Sequence, residues 1–166
     1  MITSESKGKY TKPLLKNEMG HWTSKVKVNP SEAFGFLYCI QNKSSNQFYW
    51  GKKQFWRVGK KASAKGHGKE SLWRTYIGSS THLQSDIKTL GYDSFNFEIV
   101  DVYKTKGGLY YSEAYSQMVS ECLTERLPDG KTPRFYNRVI GQVRFIPKEA
   151  ITETTKKYIK AIKKRY

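Results

Sequence analysis

A carboxylate and two tyrosines are the side chains of this sequence whose types and spacing could perform chemistry. Tyr38 and Tyr49 stand eleven residues apart, in two aromatic-rich runs separated by a Ser/Asn turn, and this pattern predicts a β-hairpin. Glu113 falls in a predicted helix with Ala114 and Met118 on the neighbouring apolar stripe. A carboxylate beside such a stripe can project to the core edge and bind a hard cation such as Mg²⁺. The alternatives are a solvated glutamate and a hairpin of core aromatics, both common in unrelated proteins.

The elements that would position these residues follow from hydrophobic periodicity and turn residues. The hairpin comprises residues 34–40 and 47–51, joined by a turn at 42–46. A short helix follows, with Ser79 or Ser80 as N-cap and Gly91 at its end, and residues 95–102 form a strand. The longest predicted helix spans 109–125, with an apolar stripe made of Ala114, Met118, Val119, Cys122 and Leu123. We therefore expect an α+β fold, a small antiparallel sheet flanked by helices.

The chain divides by composition into three parts. A basic N-terminal arm covers residues 1–33, the α+β domain covers 34–145, and a basic C-terminal helix covers 146–166. The arm is expected to be flexible at its start and pinned to the core by Trp22, Val26 and Val28. Residues 52–72 are rich in Lys and Gly and are predicted to form a loop inserted into the domain.

Charge is the strongest compositional signal. Thirty Lys and Arg stand against fourteen Asp and Glu, which gives a formal net charge of +16. Such a field attracts polyanions, of which nucleic acid is the commonest. No apolar run approaches the ~18 residues of a membrane span, there is no signal peptide, and no nucleotide-binding GxxxxGK[ST] pattern occurs. Cys39 and Cys122 lack zinc-site or disulfide spacing, which is typical of a reducing cytoplasm.

Several short sequences occur in the order found in GIY-YIG nucleases. The first is Phe36-Leu37-Tyr38, although Gly35 lies one place earlier than the family's glycine, and the second is Tyr49-Trp50-Gly51, with Trp in place of Ile. The order of YWGKK, WRTYIGSS, the predicted helix and strand, LYYSEAYSQ around Glu113 and Tyr136-Asn137 closely resembles the SegE-like group of phage GIY-YIG endonucleases. The resemblance covers residues 34–141.

The resemblance implies hydrolysis of double-stranded DNA with one metal ion, Mg²⁺ or Mn²⁺, bound by Glu113. It implies that Tyr38 is the general base for the attacking water or orients it, and that Tyr49 supports the water or the phosphate. Lys53, or Lys52, would favour the Tyr38 phenolate, because a phenol with a pKa of about 10 is a poor base at neutral pH. Asn137 would help orient the site. The same resemblance implies a free-standing homing endonuclease, encoded by a phage and acting in the host cytoplasm.

One family feature is missing from its expected place. Many members carry a phosphate-binding arginine on the first helix, at a regular distance beyond the tyrosine of the YIG element. Counted from Tyr49 this position falls in the Gly/Lys loop, and counted from Tyr76 it is Asp86. Arg74 or Arg57 could supply a bidentate guanidinium instead, and we favour Arg74.

Further DNA contacts are expected from two basic patches and from the start of the first helix. Helix N-termini attract phosphate, although Ser79 could also be merely a cap, and the C-terminal lysines could instead complement the dipole of a docked helix. Phosphate contacts position DNA without specifying its sequence. The histidines show no metal-ligand spacing and are assigned no role. The predicted DNA-contacting residues are Lys52, Arg57, Lys60, Lys61, Lys65, Tyr76, Ser79, Lys156, Lys160 and Lys163.

Two other functions remain open at this stage. A nucleic-acid-binding protein that kept the fold and lost cleavage would explain the altered first element and the missing helix arginine. An RNA-binding basic protein unrelated to nucleases would explain the charge alone. The retention of Tyr38, Tyr49 and Glu113 in the family's order favours the enzyme.

Overall fold

Four strands form one mixed sheet in the computed structural model, which describes residues 10–57 and 69–166. The strands are β1 (Thr23–Ser24), β2 (Gly35–Asn42), β3 (Gln47–Gln54) and β4 (Phe95–Tyr103), in the order β1-β4-β2-β3. β2 is antiparallel to both neighbours, whereas β1 is parallel to β4. The predicted α+β fold is confirmed. The sheet is not purely antiparallel because the arm contributes β1, which is too short to show a strand period in the sequence.

β2 and β3 form the predicted hairpin, and both strands run further than the sequence indicated. The Asn42 side chain accepts the backbone N–H of Ser44 at 3.0 Å, which closes the turn. In the register of the hairpin Tyr38 lies opposite Gly51, and Ile40 lies opposite Tyr49. The two tyrosines are therefore diagonal neighbours on one face of the sheet.

α1 (Thr81–Leu90) begins and ends where the sequence predicted. The Ser80 hydroxyl accepts the backbone N–H of Leu83, and Gly91 follows the helix with a φ of +84°. Leu83 and Ile87 are buried with Tyr38 in one core cluster. α1 therefore covers the face of the sheet that carries the tyrosines.

α2 (Lys106–Val119) starts and ends earlier than predicted. Of its predicted apolar stripe, Cys122 is buried, whereas three other members are not. Met118, Val119 and Leu123 are 63%, 37% and 42% exposed. The hydroxyls of Ser112 and Ser116 donate to backbone carbonyls of the preceding turn at 2.8 and 2.7 Å, so they are satisfied inside the core. A hydrophobicity pattern cannot recognise such a face. The buried residues of α2 are Gly108, Leu109, Ser112, Ser116 and Gln117.

α3 (Glu153–Lys163) packs with α2 on the opposite face of the sheet. It begins after the Thr152 N-cap, later than the predicted start at residue 146. Ile159 and Ile162 are buried, and Tyr158 is partly buried beside them. In the described part of the chain, no helix is long and apolar enough to cross a membrane.

The N-terminal arm packs on the α1 side of the sheet from residue 10 onward. Trp22 is 1% exposed, and its indole N–H donates to the Trp73 carbonyl at 2.7 Å. Val28 is buried and Val26 is partly buried in the same cluster. The prediction that these residues pin the arm is confirmed. Its predicted flexible start, residues 1–9, lies outside the described residues.

Candidate active site

A segment from the C-terminal half covers part of the edge strand β3. The Phe48 N–H donates to the Arg134 carbonyl at 2.9 Å, and the Phe48 carbonyl accepts the Tyr136 N–H at 2.8 Å. The Asn137 side chain then accepts the Trp50 N–H at 2.9 Å and donates to the Trp50 carbonyl at 2.8 Å. The contacts of this segment end at Trp50, and the cleft lies just beyond them.

The cleft has a volume of about 420 Å³ and lies where the two faces of the sheet meet at the β3 edge. One side consists of the start of α1, which covers the tyrosine face. The other side consists of α2, which covers the opposite face. Elements that are far apart in the sequence therefore contribute side chains to one space. The lining residues are Tyr49, Lys52, Ser79, Ser80, Thr81, His82, Glu113, Gln117, Tyr136, Asn137, Arg138, Val139 and Gly141.

Three tyrosines pack together beside the cleft. The Tyr38 ring centroid lies 6.2 Å from that of Tyr49 and 6.2 Å from that of Tyr76. The Tyr49 hydroxyl hydrogen-bonds to the Ser79 hydroxyl at 3.1 Å. Ser79 directly precedes the N-cap of α1, so Tyr49 links the edge strand to a helix N-terminus, where unpaired N–H groups favour an anion.

Two glycines make room for the tyrosine rings. A Cβ at Gly51 would lie 2.3 Å from both Cζ and Oη of Tyr38. A Cβ at Gly78, whose φ is +87°, would lie 2.9 Å from the Tyr49 ring and 3.4 Å from the Tyr38 hydroxyl. The glycines of the YWG and YIG elements are therefore needed for close packing, and Gly78 also for its backbone conformation.

Burial keeps Tyr38 in its neutral form. Tyr38 is 1% exposed, and burial raises its pKa well above that of an ordinary tyrosine, with further increases from Tyr49, Tyr76 and Glu113. Burial likewise raises the pKa of Tyr76. The surrounding side chains thus favour the phenol over the phenolate. A phenol suits the orientation of water better than the removal of its proton.

Glu113 lies on the flank of the buried face of α2 and lines the cleft. Its Oε2 forms an ion pair with the Lys52 ammonium, and the two side chains are 16% and 25% exposed. Lys52 Nζ also lies 4.2 Å from the centroid of the Tyr110 ring. The carboxylate is therefore held at the cleft and already binds a positive charge.

Lys53 points to the other face of β3, as successive strand residues do. Its Nζ lies 4.1 Å from the centroid of the Tyr76 ring. Burial, followed by the charge of Arg57, lowers the pKa of Lys53. Lys53 therefore loses its proton more readily than an ordinary lysine.

A known protein family matches most of this chain, including the elements that line the cleft. Residues 20–140, more than half of the chain, match the family described as "Putative endonuclease segE, GIY-YIG domain". The chain belongs to the GIY-YIG endonuclease family. The resemblance expected from the order of its short sequences is thereby confirmed. Comparisons with curated proteins and with solved structures gave no match.

Most residues expected to form the GIY-YIG site lie at the cleft or directly beside it. Tyr38 lies beneath Tyr49, and Lys53 and Tyr76 line a smaller neighbouring cavity. Asn137 uses both ends of its amide on the Trp50 backbone and thereby fixes the 134–137 segment against β3. The predicted residues that line the cleft itself are Tyr49, Lys52, Ser79, Glu113 and Asn137.

Arg74, the favoured phosphate-binding arginine, does not line the GIY-YIG cleft and instead fixes the N-terminal arm. It pairs with Glu70, donates to the Glu18 carbonyl at 2.7 Å and donates to the Tyr10 hydroxyl at 2.9 Å. Its guanidinium also stacks on Trp73 at 4.4 Å. The adjacent Trp73 is a fully buried core residue, and it determines where Arg74 can reach.

His82, Gln117 and Arg138 are among the polar cleft residues that sequence reasoning missed. His82 lies in the first turn of α1, two residues after the Ser80 cap, and this position could have indicated that it lies near the cleft. Arg138 donates to the carbonyls of Phe135 and Asn137 at 2.8 and 3.1 Å. Among the described residues it is the arginine that lines the cleft, whereas Arg57 is exposed beyond β3.

The predicted DNA-contacting lysines of α3 lie on its exposed or partly exposed side. Lys156 pairs with Glu153 at 2.8 Å, and Lys163 lies 3.6 Å from Glu121. Lys160 is exposed. The Lys163–Glu121 pair also fits the alternative interpretation, in which α3 is a helix docked on its neighbours. The remaining predicted lysines, Lys60, Lys61 and Lys65, lie outside the described residues.

Proposed function

We propose that this protein is a metal-dependent endonuclease that hydrolyses phosphodiester bonds of double-stranded DNA in the cleft at the β3 edge. The observation that carries the proposal is the convergence of Glu113, Tyr49 and Ser79 on one cleft in a GIY-YIG chain. A net charge of +16 supports a polyanionic substrate.

The donor set at Glu113 fits a hard divalent cation. Mg²⁺ is usually bound by one or two carboxylates together with substrate phosphate oxygens and water. Glu113 is 16% exposed and its present partner is itself a cation, the Lys52 ammonium. Within residues 10–57 and 69–166 no group of three His, Cys, Asp or Glu side chains could hold a metal. Glu113 would be the carboxylate ligand of the metal ion. Bound Mg²⁺ or Mn²⁺ would stabilise negative charge on the phosphate and the departing oxygen.

The hydroxyls of Tyr49 and Ser79 are assigned to the scissile phosphate or the attacking water. They bond to each other at 3.1 Å and both line the cleft. Each hydroxyl keeps donor or acceptor capacity for one more partner. Tyr38, packed beneath them, is assigned to the orientation of water, because its raised pKa opposes a role as the base.

The two lysines after the YWG element take different roles. Lys52 pairs with Glu113 and would turn to a phosphate oxygen when Glu113 binds a metal. Lys53, with its lowered pKa and its contact with Tyr76, is suited to proton transfer beside the tyrosine cluster.

The match to a family described as a putative segE endonuclease supports a more specific proposal about the biological role of the protein. The protein would be a free-standing homing endonuclease, encoded by a phage and acting on DNA in the host cytoplasm. The exposed lysines of α3, such as Lys160, would add phosphate contacts.

Cleavage of supercoiled plasmid and phage DNA with Mg²⁺ tests the proposal. We expect conversion to open-circular or linear DNA, complete inhibition by EDTA, and a loss of about 100-fold or more for Glu113→Ala. Glu32→Ala, at an exposed carboxylate outside the cleft, is the control and should cleave like the wild type. Cleavage that persists in EDTA or in Glu113→Ala would refute this site.

A binding-only protein is the second candidate, favoured by one observation on α1. Counted from Tyr76, Asp86 stands where the resemblance to GIY-YIG nucleases implies a phosphate-binding arginine, and it accepts the Tyr136 hydroxyl at 2.7 Å. An acidic residue bonded to a cleft residue weakens phosphate binding from this side. Salt-sensitive DNA binding without cleavage, across several DNAs and divalent metals, would establish this alternative.

A further inference from the structure

Gln117 is a buried amide in the cleft wall with an unpaired oxygen. It is 5% exposed, and its Oε1 has no hydrogen-bond partner. In the described part of the chain only one other buried side-chain polar atom, Arg134 Nε, is in this state. A buried acceptor without a partner destabilises a fold, and native proteins rarely keep one without a functional reason.

The position of Gln117 relates it to Glu113. It follows Glu113 by four residues on α2, so the two side chains are neighbours on one side of the helix. Both line the cleft. The other polar side chains of the buried face, Ser112 and Ser116, donate to backbone carbonyls and are satisfied without a ligand. Gln117 Oε1 is thus the buried polar side-chain atom of this face that has no hydrogen-bond partner among the described residues.

We infer that Gln117 Oε1, turned from its buried position towards the cleft by rotation of the side chain, is the second protein oxygen of the cation site formed by Glu113. Amide oxygens are among the ligands that hard divalent cations accept. A neutral oxygen from Gln117 would add a ligand to Glu113, the one carboxylate among the described residues that line the cleft. The inference rests on the proposed function, because it requires a metal at Glu113.

Binding of Mn²⁺ to the full chain without DNA tests the inference, with the free ion measured by electron paramagnetic resonance. Gln117→Leu removes the oxygen and keeps a similar volume, and we expect its Kd for Mn²⁺ to rise about 10-fold or more. Gln117→Glu replaces the amide with a carboxylate and should bind more tightly than the wild type. Gln142→Leu, at an exposed glutamine outside the cleft, is the matched control and should bind like the wild type.

Thermal unfolding in EDTA separates a ligand role from a structural one. Gln117→Leu should unfold at the wild-type temperature or above it, because the change removes an unpaired buried oxygen. A lower unfolding temperature would show that Oε1 supports the fold, and would overturn the inference.

The Glu113→Gln variant distinguishes the two possible failures. Loss of Mn²⁺ binding in Glu113→Gln, with wild-type binding in Gln117→Leu, would refute the role of Gln117 and leave the metal site in place. Absence of saturable Mn²⁺ binding in the wild type, or wild-type binding by Glu113→Gln, would refute the metal site and the inference with it.

Discussion

Substitution of Gly51 by alanine tests whether the glycine of the YWG element exists to accommodate Tyr38. The added Cβ would lie 2.3 Å from Cζ and Oη of Tyr38 and 2.8 Å from its Cε2. Non-bonded carbon atoms prefer about 3.5–4.0 Å, so the ring would have to move by about 1 Å. It has little space to do so, since the Trp22 and Phe36 centroids lie 4.9 and 5.9 Å away and Tyr38 is 1% exposed.

The cost can be worked out from this geometry. Overpacking of a core costs about 1–3 kcal/mol, and an overlap of this size belongs to the upper part of that range. Replacing glycine within a strand returns about 0.5–1 kcal/mol. We therefore expect Gly51→Ala to lower the free energy of unfolding by about 1–2.5 kcal/mol, which is a fall in Tm of about 2–10 °C. Displacement of the Tyr38 hydroxyl by about 1 Å should reduce cleavage by about 100-fold.

Urea unfolding and plasmid cleavage of the same preparations measure both effects. Gly141→Ala is the stability control, because a Cβ there has no atom within 4 Å. Addition of Tyr38→Leu to Gly51→Ala removes the overlapping ring atoms and should restore part of the lost stability without restoring cleavage. Wild-type stability and cleavage in Gly51→Ala, or strictly additive destabilisation in the double variant, would refute the packing argument.

Two further predictions concern the flanks of the site. Asn137→Ala should lower the free energy of unfolding by about 2–4 kcal/mol, because the Trp50 N–H and carbonyl both lose their partner; a loss below about 0.5 kcal/mol in urea titrations would contradict this. Lys53→Met should be more stable than the wild type at neutral pH, because the folded-state pKa of Lys53 is lowered and folding therefore disfavours its charged form. As pH rises from the lowered pKa towards the ordinary 10.5, the unfolded chain holds more protons, the wild type gains stability, and the difference should shrink. A difference that is constant or widens over this range in thermal unfolding would count against the lowered pKa.

Local signals in the sequence predicted several elements and the family correctly. The hairpin and α1 follow from turn residues, a serine cap and a terminal glycine, whose conformational preferences act within a few residues. The order of the short sequences from YWGKK through WRTYIGSS and LYYSEAYSQ to Tyr136-Asn137 indicated the family, because this order does not depend on how the elements pack. The basic charge indicated a polyanionic partner for the same reason.

Properties that depend on packing could not be predicted in this way. The buried face of α2 includes Ser112 and Ser116, whose hydroxyls bond to their own helix, so hydrophobic periodicity pointed to Met118 instead. Arg74 appeared suited to bind phosphate, but the burial of Trp73 turns it to the N-terminal arm. Both differences from the sequence-based expectation arise because the environment of a side chain is set by contacts that are distant in the sequence.

The sequence by itself thus determined the local elements, the family and the sign of the charge, since these depend on residue type and order. Only the tertiary structure decided that the cleft lies at the β3 edge, where the N-terminus of α1 and the flank of α2 meet. It also decided that Tyr38 is buried as a neutral phenol and that Gln117 Oε1 is left without a partner beside Glu113. Burial and the absence of a hydrogen-bond partner are properties of an assembled core, so no pattern along the chain encodes them.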